Sequence, residues 1–325
     1  MKQSQVKAAI YAAIAADEPL LILGEPGGGK SAISNQVGAA LRVPMYDLRT
    51  AQLDAVDVRG VPEVVNHIAR WATPEFIPAE GPGILVLEEL PNATVAVQSA
   101  LLELVQDRRV GKAELSKDIA ILSTGNRVQD RAGAGRLISS LRDRFVSVQL
   151  DVDVADWVAW ALDNGICNEV ISFIRLNNEL LANFDPQKDV SASPRSWEKV
   201  SRLLPHLSSS IRLPMCEGTV GESAATAFIG YLSVYATMPD PDVVLLNPQN
   251  AAIPDDPAVL YALCGAIARK ASSATADRIF QYASRLAAEF SIVTVTDALR
   301  KDEQAMRSTR AFPEWATENQ DVLVA

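Results

Sequence analysis

Histidine and cysteine are scarce in this chain. Its 325 residues include two histidines, His67 and His206, and three cysteines, Cys167, Cys216 and Cys264. Two histidines leave no histidine-rich metal centre. Three cysteines without metal-ligand spacing exclude a disulfide scaffold and read as core or surface thiols. Positive charge is in deficit as well: 30 Lys and Arg stand against 40 Asp and Glu, a formal charge of −10. That balance counts against a general nucleic-acid binder, which needs a basic footprint. Long apolar runs are missing. The longest, such as Gly83-Ile84-Leu85-Val86-Leu87, have strand length and end in charge, so no membrane span is expected. Apolar residues as such are plentiful. At 48% of the chain they exclude a disordered polymer and suffice for one large domain or two medium ones. Residues 8–16, preceded by Lys2 and Lys7, have the outline of a signal peptide. Most of the run is alanine, which favours helix and carries little hydrophobic payload, and it leads directly into an apolar strand. It is read as the first helix of a cytoplasmic protein.

The first half of the chain alternates. Apolar segments at 20–23, 43–48, 84–87, 119–123 and 146–150 read as strands, with helices at 31–41 and 95–106. Five buried strands separated by helices predict a parallel α/β sheet. From about residue 153 helical periodicity takes over, at 156–162 and 169–183. Ser193-Pro194 marks a helix start. Thr219 to Glu222 has capping-box spacing before a helix at 224–235. Five prolines between 239 and 257 predict an extended stretch, helices resume at 258–271 and 276–290, and the polar tail after Asp302 is expected to be loosely held. The expected division is an αβα core over 1–152 and an all-helical domain over 153–325. No repeat of solenoid period occurs.

Gly24-Glu25-Pro26-Gly27-Gly28-Gly29-Lys30-Ser31 fits G-x-x-x-x-G-K-[ST]. It follows a predicted strand and opens a predicted helix, as a phosphate loop requires. The glycines let backbone N–H groups curl around a β-phosphate, Lys30 neutralises the β- and γ-phosphates, and the Ser31 hydroxyl ligates Mg²⁺. The nucleotide-binding set is therefore Gly24 through Ser31 together with Ala32. A carboxylate site is then needed, and the strand at 84–87 ends in Glu88-Glu89. Its C-terminal end faces the ligand crevice of such a sheet. Glu88 is expected to hold Mg²⁺ through water and Glu89 to polarise the attacking water.

With these motifs the chain resembles the AAA+ ATPases, and within them the MoxR-like branch, over residues 5 to about 290. The resemblance implies a P-loop αβα sandwich with a five-stranded parallel sheet and a helical lid. It implies binding of ATP or ADP with Mg²⁺ and hydrolysis between the subunits of a ring, commonly a hexamer. Asn126, in Ile121-Leu122-Ser123-Thr124-Gly125-Asn126-Arg127, matches sensor 1 and would orient water. In Leu141-Arg142-Asp143-Arg144-Phe145, Arg144 matches the arginine finger, with Arg142 as the alternative. Pro194-Arg195-Ser196-Trp197-Glu198 resembles sensor 2, which makes Arg195 a phosphate contact. Residues 61–78 and 107–118 fall where the branch carries inserts that face a ring's pore. His67, Arg70, Trp71, Arg108, Arg109 and Lys112 could touch a client there, or belong to plain solvated hairpins. The branch works with partners bearing a von Willebrand factor A-type domain, so the resemblance implies a homo-oligomer that remodels a protein. Two departures stand out: Glu88 replaces the usual Asp, and Pro91-Asn92 follows the acids. The alternatives are a nucleic-acid motor, against which the net charge counts, and a nucleotide-gated scaffold with little hydrolysis.

Overall fold

Leu20 and Ile22 point to one side of the first strand and Leu21 and Leu23 to the other, and all four meet apolar partners. That two-sided burial is why the segment is apolar throughout rather than alternating. The computed structural model describes residues 1–72, 74–130 and 135–319. Along the first part of the chain run α1 (Gln3–Ala16), β1 (Leu20–Gly24), α2 (Lys30–Leu41), β2 (Met45–Arg49) and α3 (Ala55–Arg59). The hairpin β3 (Pro62–Val65) and β4 (Ile68–Trp71), β5 (Gly83–Glu88) and α4 (Val95–Asp107) follow. Then come the short hairpin β6 (Arg109–Val110) and β7 (Ala113–Glu114), β8 (Ile119–Gly125), α5 (Ser139–Arg142) and β9 (Val146–Leu150).

Five strands form one parallel sheet in the order β2-β5-β8-β1-β9. On one face Leu20, Ile22, Ile84, Val86, Leu122 and Leu150 pack against Val6 and Ile10 of α1 and Ile33 and Val37 of α2. On the other, Leu21, Leu85, Leu87 and Ile121 pack against Val97, Leu101 and Leu104 of α4. The result is a three-layer αβα sandwich. Because every strand runs the same way, Gly24, Glu88 and Gly125 end on one edge. The register pairs Leu23 with Gly125, Leu87 with Ser123, and Gly24 with Leu150.

The chain divides into two compact units. Met1–Asp156 and Phe184–Asp189 make up the first, and Trp157–Asn183 with the chain from Val190 onward make up the second. The second unit is helical, apart from an isolated bridge between Asn183 and Ala192. After α6 (Val154–Asp163) come α7 (Asn168–Leu176), α8 (Pro194–Leu203), α9 (Ser209–Val220), α10 (Glu222–Tyr235) and α11 (Pro241–Leu246). They are followed by α12 (Pro257–Ala268), α13 (Ala276–Ala283), α14 (Ala288–Lys301), α15 (Glu303–Arg307) and α16 (Phe312–Glu318). One cluster joins Phe173 of α7, Trp197 of α8 and Phe228 of α10, with ring centroids 5.1 to 5.5 Å apart in edge-on or tilted pairs. Nearby, Arg175 of α7 makes a paired 2.7 Å contact with Asp297 of α14, and both side chains are largely buried.

Several expectations about this half are corrected. The proline-rich stretch 239–257 is not simply extended, because Pro241 and Pro257 occupy the first turns of α11 and α12 behind the caps Asp240 and Asp256. Proline lacks only an N–H that a helix start leaves unbonded. Thr219 does not cap α10. It lies inside α9 and bonds back to the Met215 carbonyl, while Gly221 provides the cap at φ 86°. The tail after Asp302 is not loose as far as residue 319, since Met306 and Trp315 are buried against α13 and α14. No helix among the described residues is long and apolar enough to cross a membrane.

Candidate functional site

The turn after β1 carries two glycines with left-handed backbone, Gly27 at φ 74° and Gly29 at φ 98°. Only glycine takes that conformation freely, and here it folds the loop back so that the Gly28 N–H donates to the Glu25 carbonyl at 3.2 Å. The loop then enters α2 at Lys30, and Ser31 and Ala32 sit in the first helical turn. This is the geometry in which helix N–H groups face an anion.

Lys30 is drawn inward. Its Nζ donates to the Gly24 carbonyl at 2.9 Å, to the Glu25 carbonyl at 2.8 Å and to the Asn126 amide oxygen at 3.0 Å. Asn126 follows the last residue of β8, beside β1, so the strand order itself brings it to the phosphate loop.

On the other side of β8, β5 delivers Glu88 and Glu89. Glu88 is half-buried, and its carbonyl accepts from the Thr50 hydroxyl at 2.8 Å. Glu89 is exposed and takes a left-handed backbone, φ 56° and ψ 32°, uncommon for a residue other than glycine. Its N–H donates to the Thr124 hydroxyl of β8 at 3.4 Å. Pro91 packs directly on β8: a Cβ added to Gly125 would lie 2.5 Å from Pro91 Cγ.

Two neighbours were not anticipated from the sequence. The carboxyl of Asp47 on β2 is shifted above the usual carboxylate range, first by partial burial and then by the negative charge of Glu88, which Arg49 offsets in part. Only the pairing of β2 with β5 brings it there. Arg127, next to Asn126, meets three carboxylates. Its Nη2 lies 2.7 Å from Glu25, its Nε 3.2 and 3.1 Å from the two oxygens of Asp130, and its Nη1 3.3 Å from Asp151. Its side chain is 13% exposed. Burial opposes the guanidinium charge, and the bonds to Asp130 and Glu25 outweigh it, so its pKa is raised.

The remaining candidates lie apart from this edge or in the other unit. Arg144 is exposed after α5, and donates to the Gln106 amide oxygen at 3.2 Å and to Asp143 at 3.1 Å. Arg142 is the last residue of α5 and is exposed. Arg195 is the second residue of α8, behind the Ser193 cap with its Ser196 partner, and is exposed. The segment 61–78 contains the β3–β4 hairpin, turned by Asn66 and His67 with φ 53° and 63°. Val64, Ile68 and Trp71 are exposed on it, and the side chain of Arg70 lies outside the described residues. Around Gly111 the β6–β7 hairpin leaves Lys112 exposed, and Arg109 pairs with Glu103 at 3.4 Å. Arg108 is held within its own unit: its guanidinium donates to the Ser116 carbonyl at 2.8 Å, to the Ile119 carbonyl and to the Asp17 carboxylate at 3.2 Å, and pins the base of the hairpin.

The parallel sheet thus sets a phosphate loop, an acidic strand end and a polar strand end on one edge. Residues 19–145 match the AAA domain of the dynein-related subfamily. No curated protein sequence matches the chain. Among solved structures, NtrX from Brucella abortus is 19% identical over 62% of this chain and 50% of its own, with a TM-score of 0.40. This chain thus spans half the length of that relative. A RuvB variant from Thermotoga maritima is 13% identical over 82% of this chain and 80% of that one, with a TM-score of 0.42. A putative ATPase from Cytophaga hutchinsonii is 15% identical over 99% of this chain and 88% of that one, with a TM-score of 0.36.

The region that matches the AAA domain offers hard oxygen donors that could hold a magnesium ion, the Ser31 hydroxyl and the Glu88 carboxylate. Among the described residues no cluster of three His, Cys, Asp or Glu side chains could hold a metal alone. That donor set fits Mg²⁺, which takes one or two protein oxygens and completes its shell with phosphate and water. It does not fit a structural zinc or calcium site.

Proposed function

We propose that the chain is a MoxR-like AAA+ ATPase that binds ATP or ADP with Mg²⁺ and hydrolyses ATP at the subunit interfaces of a ring. The ring, a hexamer by resemblance, would remodel or mature a protein partner, such as one bearing a von Willebrand factor A-type domain. The observation that carries the reading is the bond between Lys30 and Asn126, which joins the phosphate loop to a polar strand end beside Glu89.

In this reading the loop N–H groups and Lys30 hold the β- and γ-phosphates, and a Mg²⁺ held by Ser31 and Glu88 would neutralise phosphate charge. Glu89, on its left-handed turn, takes a proton from the attacking water, and Asn126 orients that water. Arg144 serves the neighbouring subunit, where an added positive charge stabilises the transition state. Its exposed guanidinium, held only by Gln106 and Asp143 among the contacts described, supports that assignment. The sensor 2 role of Arg195 rests on the resemblance alone.

The test mixes two inactive variants. Lys30→Ala and Arg144→Ala are assayed for ATP hydrolysis separately, then together under conditions of subunit exchange. Recovered turnover is expected, because a Lys30→Ala subunit can lend Arg144 to its neighbour's intact loop. No recovery with exchange verified would overturn hydrolysis between subunits by Arg144. Nucleotide binding without turnover in the wild type would favour a nucleotide-gated scaffold, and turnover that rises with DNA would favour a nucleic-acid motor.

A further inference from the structure

The phosphate loop contains a carboxylate where anions are to be bound. Glu25 lies between Gly24 and the glycine turn, and its own carbonyl is 2.8 Å from the Lys30 ammonium. A glutamate side chain at that point is long enough to reach the same ammonium, and would there compete with phosphate for it. Instead, its Oε1 is bonded to Arg127 Nη2 at 2.7 Å.

Arg127 is itself fixed. Asp130, 6% exposed, holds its Nε with both oxygens, and the Arg127 N–H donates to the same carboxylate at 3.2 Å. Asp151, after β9, takes Nη1 at 3.3 Å. A guanidinium can serve three carboxylates because its donors point in fixed, divergent directions, which a lysine cannot reproduce. The circuit also closes on itself. Arg127 adjoins Asn126, Asn126 accepts from Lys30, and Lys30 donates to the backbone of Glu25.

We propose that Arg127 is a positioning residue that keeps the Glu25 carboxylate away from Lys30, so that the ammonium serves the nucleotide's phosphates. The inference rests on the nucleotide-binding reading above. It goes further, since it gives a function to a residue that the reading above leaves without one.

A double-mutant cycle tests it. Affinities for a non-hydrolysable β,γ-imido ATP analogue and for ADP, each with Mg²⁺, are measured for wild type, Arg127→Gln, Glu25→Gln and the double variant. Arg127→Gln is expected to weaken the ATP analogue about 10- to 30-fold, and ADP less, because the triphosphate relies more on Lys30. Glu25→Gln is expected to tighten binding no more than about 3-fold in the wild-type background and at least about 10-fold in the Arg127→Gln background. A mere loss of local structure at Asp130 would not be repaired from position 25. Equal effects of Glu25→Gln in both backgrounds would overturn the proposal. If Arg127→Gln does not fold, the same cycle with Arg127→Lys decides it. A lysine ammonium lacks the fixed, divergent fork with which the guanidinium spans Asp130 and Glu25, so coupling above about 3-fold is expected and additivity overturns the proposal. A wild type that binds neither nucleotide would sink the underlying reading instead, and the two failures are thus distinct.

Discussion

The ammonium of Lys30 lies 3.0 Å from the amide oxygen of Asn126, although 96 residues separate them. The two have different tasks in the proposed reaction, and kinetics should separate them. Lys30→Ala should weaken ATP binding by at least about 100-fold, since it removes the charge facing the phosphates. Asn126→Ala should leave affinity within about 5-fold and lower kcat about 100-fold, as loss of a group that acts mainly in the transition state does. Equal losses of affinity in both variants would remove the distinction.

Glu89 should behave as a base and not as a ligand. Glu89→Gln keeps the size of the side chain on its left-handed turn and removes the basic oxygen. The expected outcome is normal ATP affinity with turnover reduced at least about 100-fold. Unchanged turnover would move the base to another group, with Glu88 the nearest in sequence.

Asp47 provides a pH signature. Its folded-state pKa is raised, so the folded protein holds that proton more tightly than the unfolded chain does. The carboxyl therefore favours the fold when protonated, and the advantage is lost as pH rises through the ordinary aspartate range and on to the raised folded value. Asp47→Asn should raise Tm by about 1–2 °C at pH 7, a small effect because the side chain is largely solvated, and by less at pH 3.5. An equal gain at both pH values would show that charge is not the cause.

The pair formed by Arg175 and Asp297 should dominate point-mutant stability in the helical unit. Arg175→Met leaves a buried carboxylate without its partner and should cost about 3–5 kcal/mol in urea unfolding. Arg175→Met with Asp297→Leu should recover most of that loss. A double variant as unstable as the single one would mean that the helices need the pair for packing as much as for charge.

The alternation of strands and helices was legible because each sheet strand is buried on both faces and reads as a short apolar run. The phosphate loop was legible for a similar reason: its chemistry is local, eight consecutive residues with glycines at the turns. What escaped was non-local. Arg127 draws its partners from positions 25, 130 and 151, and Asp47 reaches Glu88 only through strand pairing, so no spacing in the chain announces either. The prolines at 241 and 257 misled because proline reads as a helix breaker until the cap before it is noticed. The tail misled because α15 and α16 each bury only one large side chain, Met306 and Trp315, within polar surroundings.

The seating of Pro91 on β8 has a consequence for how such a site can change over generations. A Cβ on Gly125 would meet Pro91 Cγ at 2.5 Å, and one on Gly135 would meet the Pro91 carbonyl at 2.3 Å. A larger residue at 125 collides with the Pro91 ring, so drift there is blocked unless position 91 yields first, whereas at 135 the obstacle is the backbone carbonyl of residue 91, which no side-chain change removes. Positions 91 and 125 should therefore vary as a pair among descendants of this chain, and 135 should stay glycine. A library randomised at all three should return survivors whose residues at 91 predict those at 125, with glycine kept at 135.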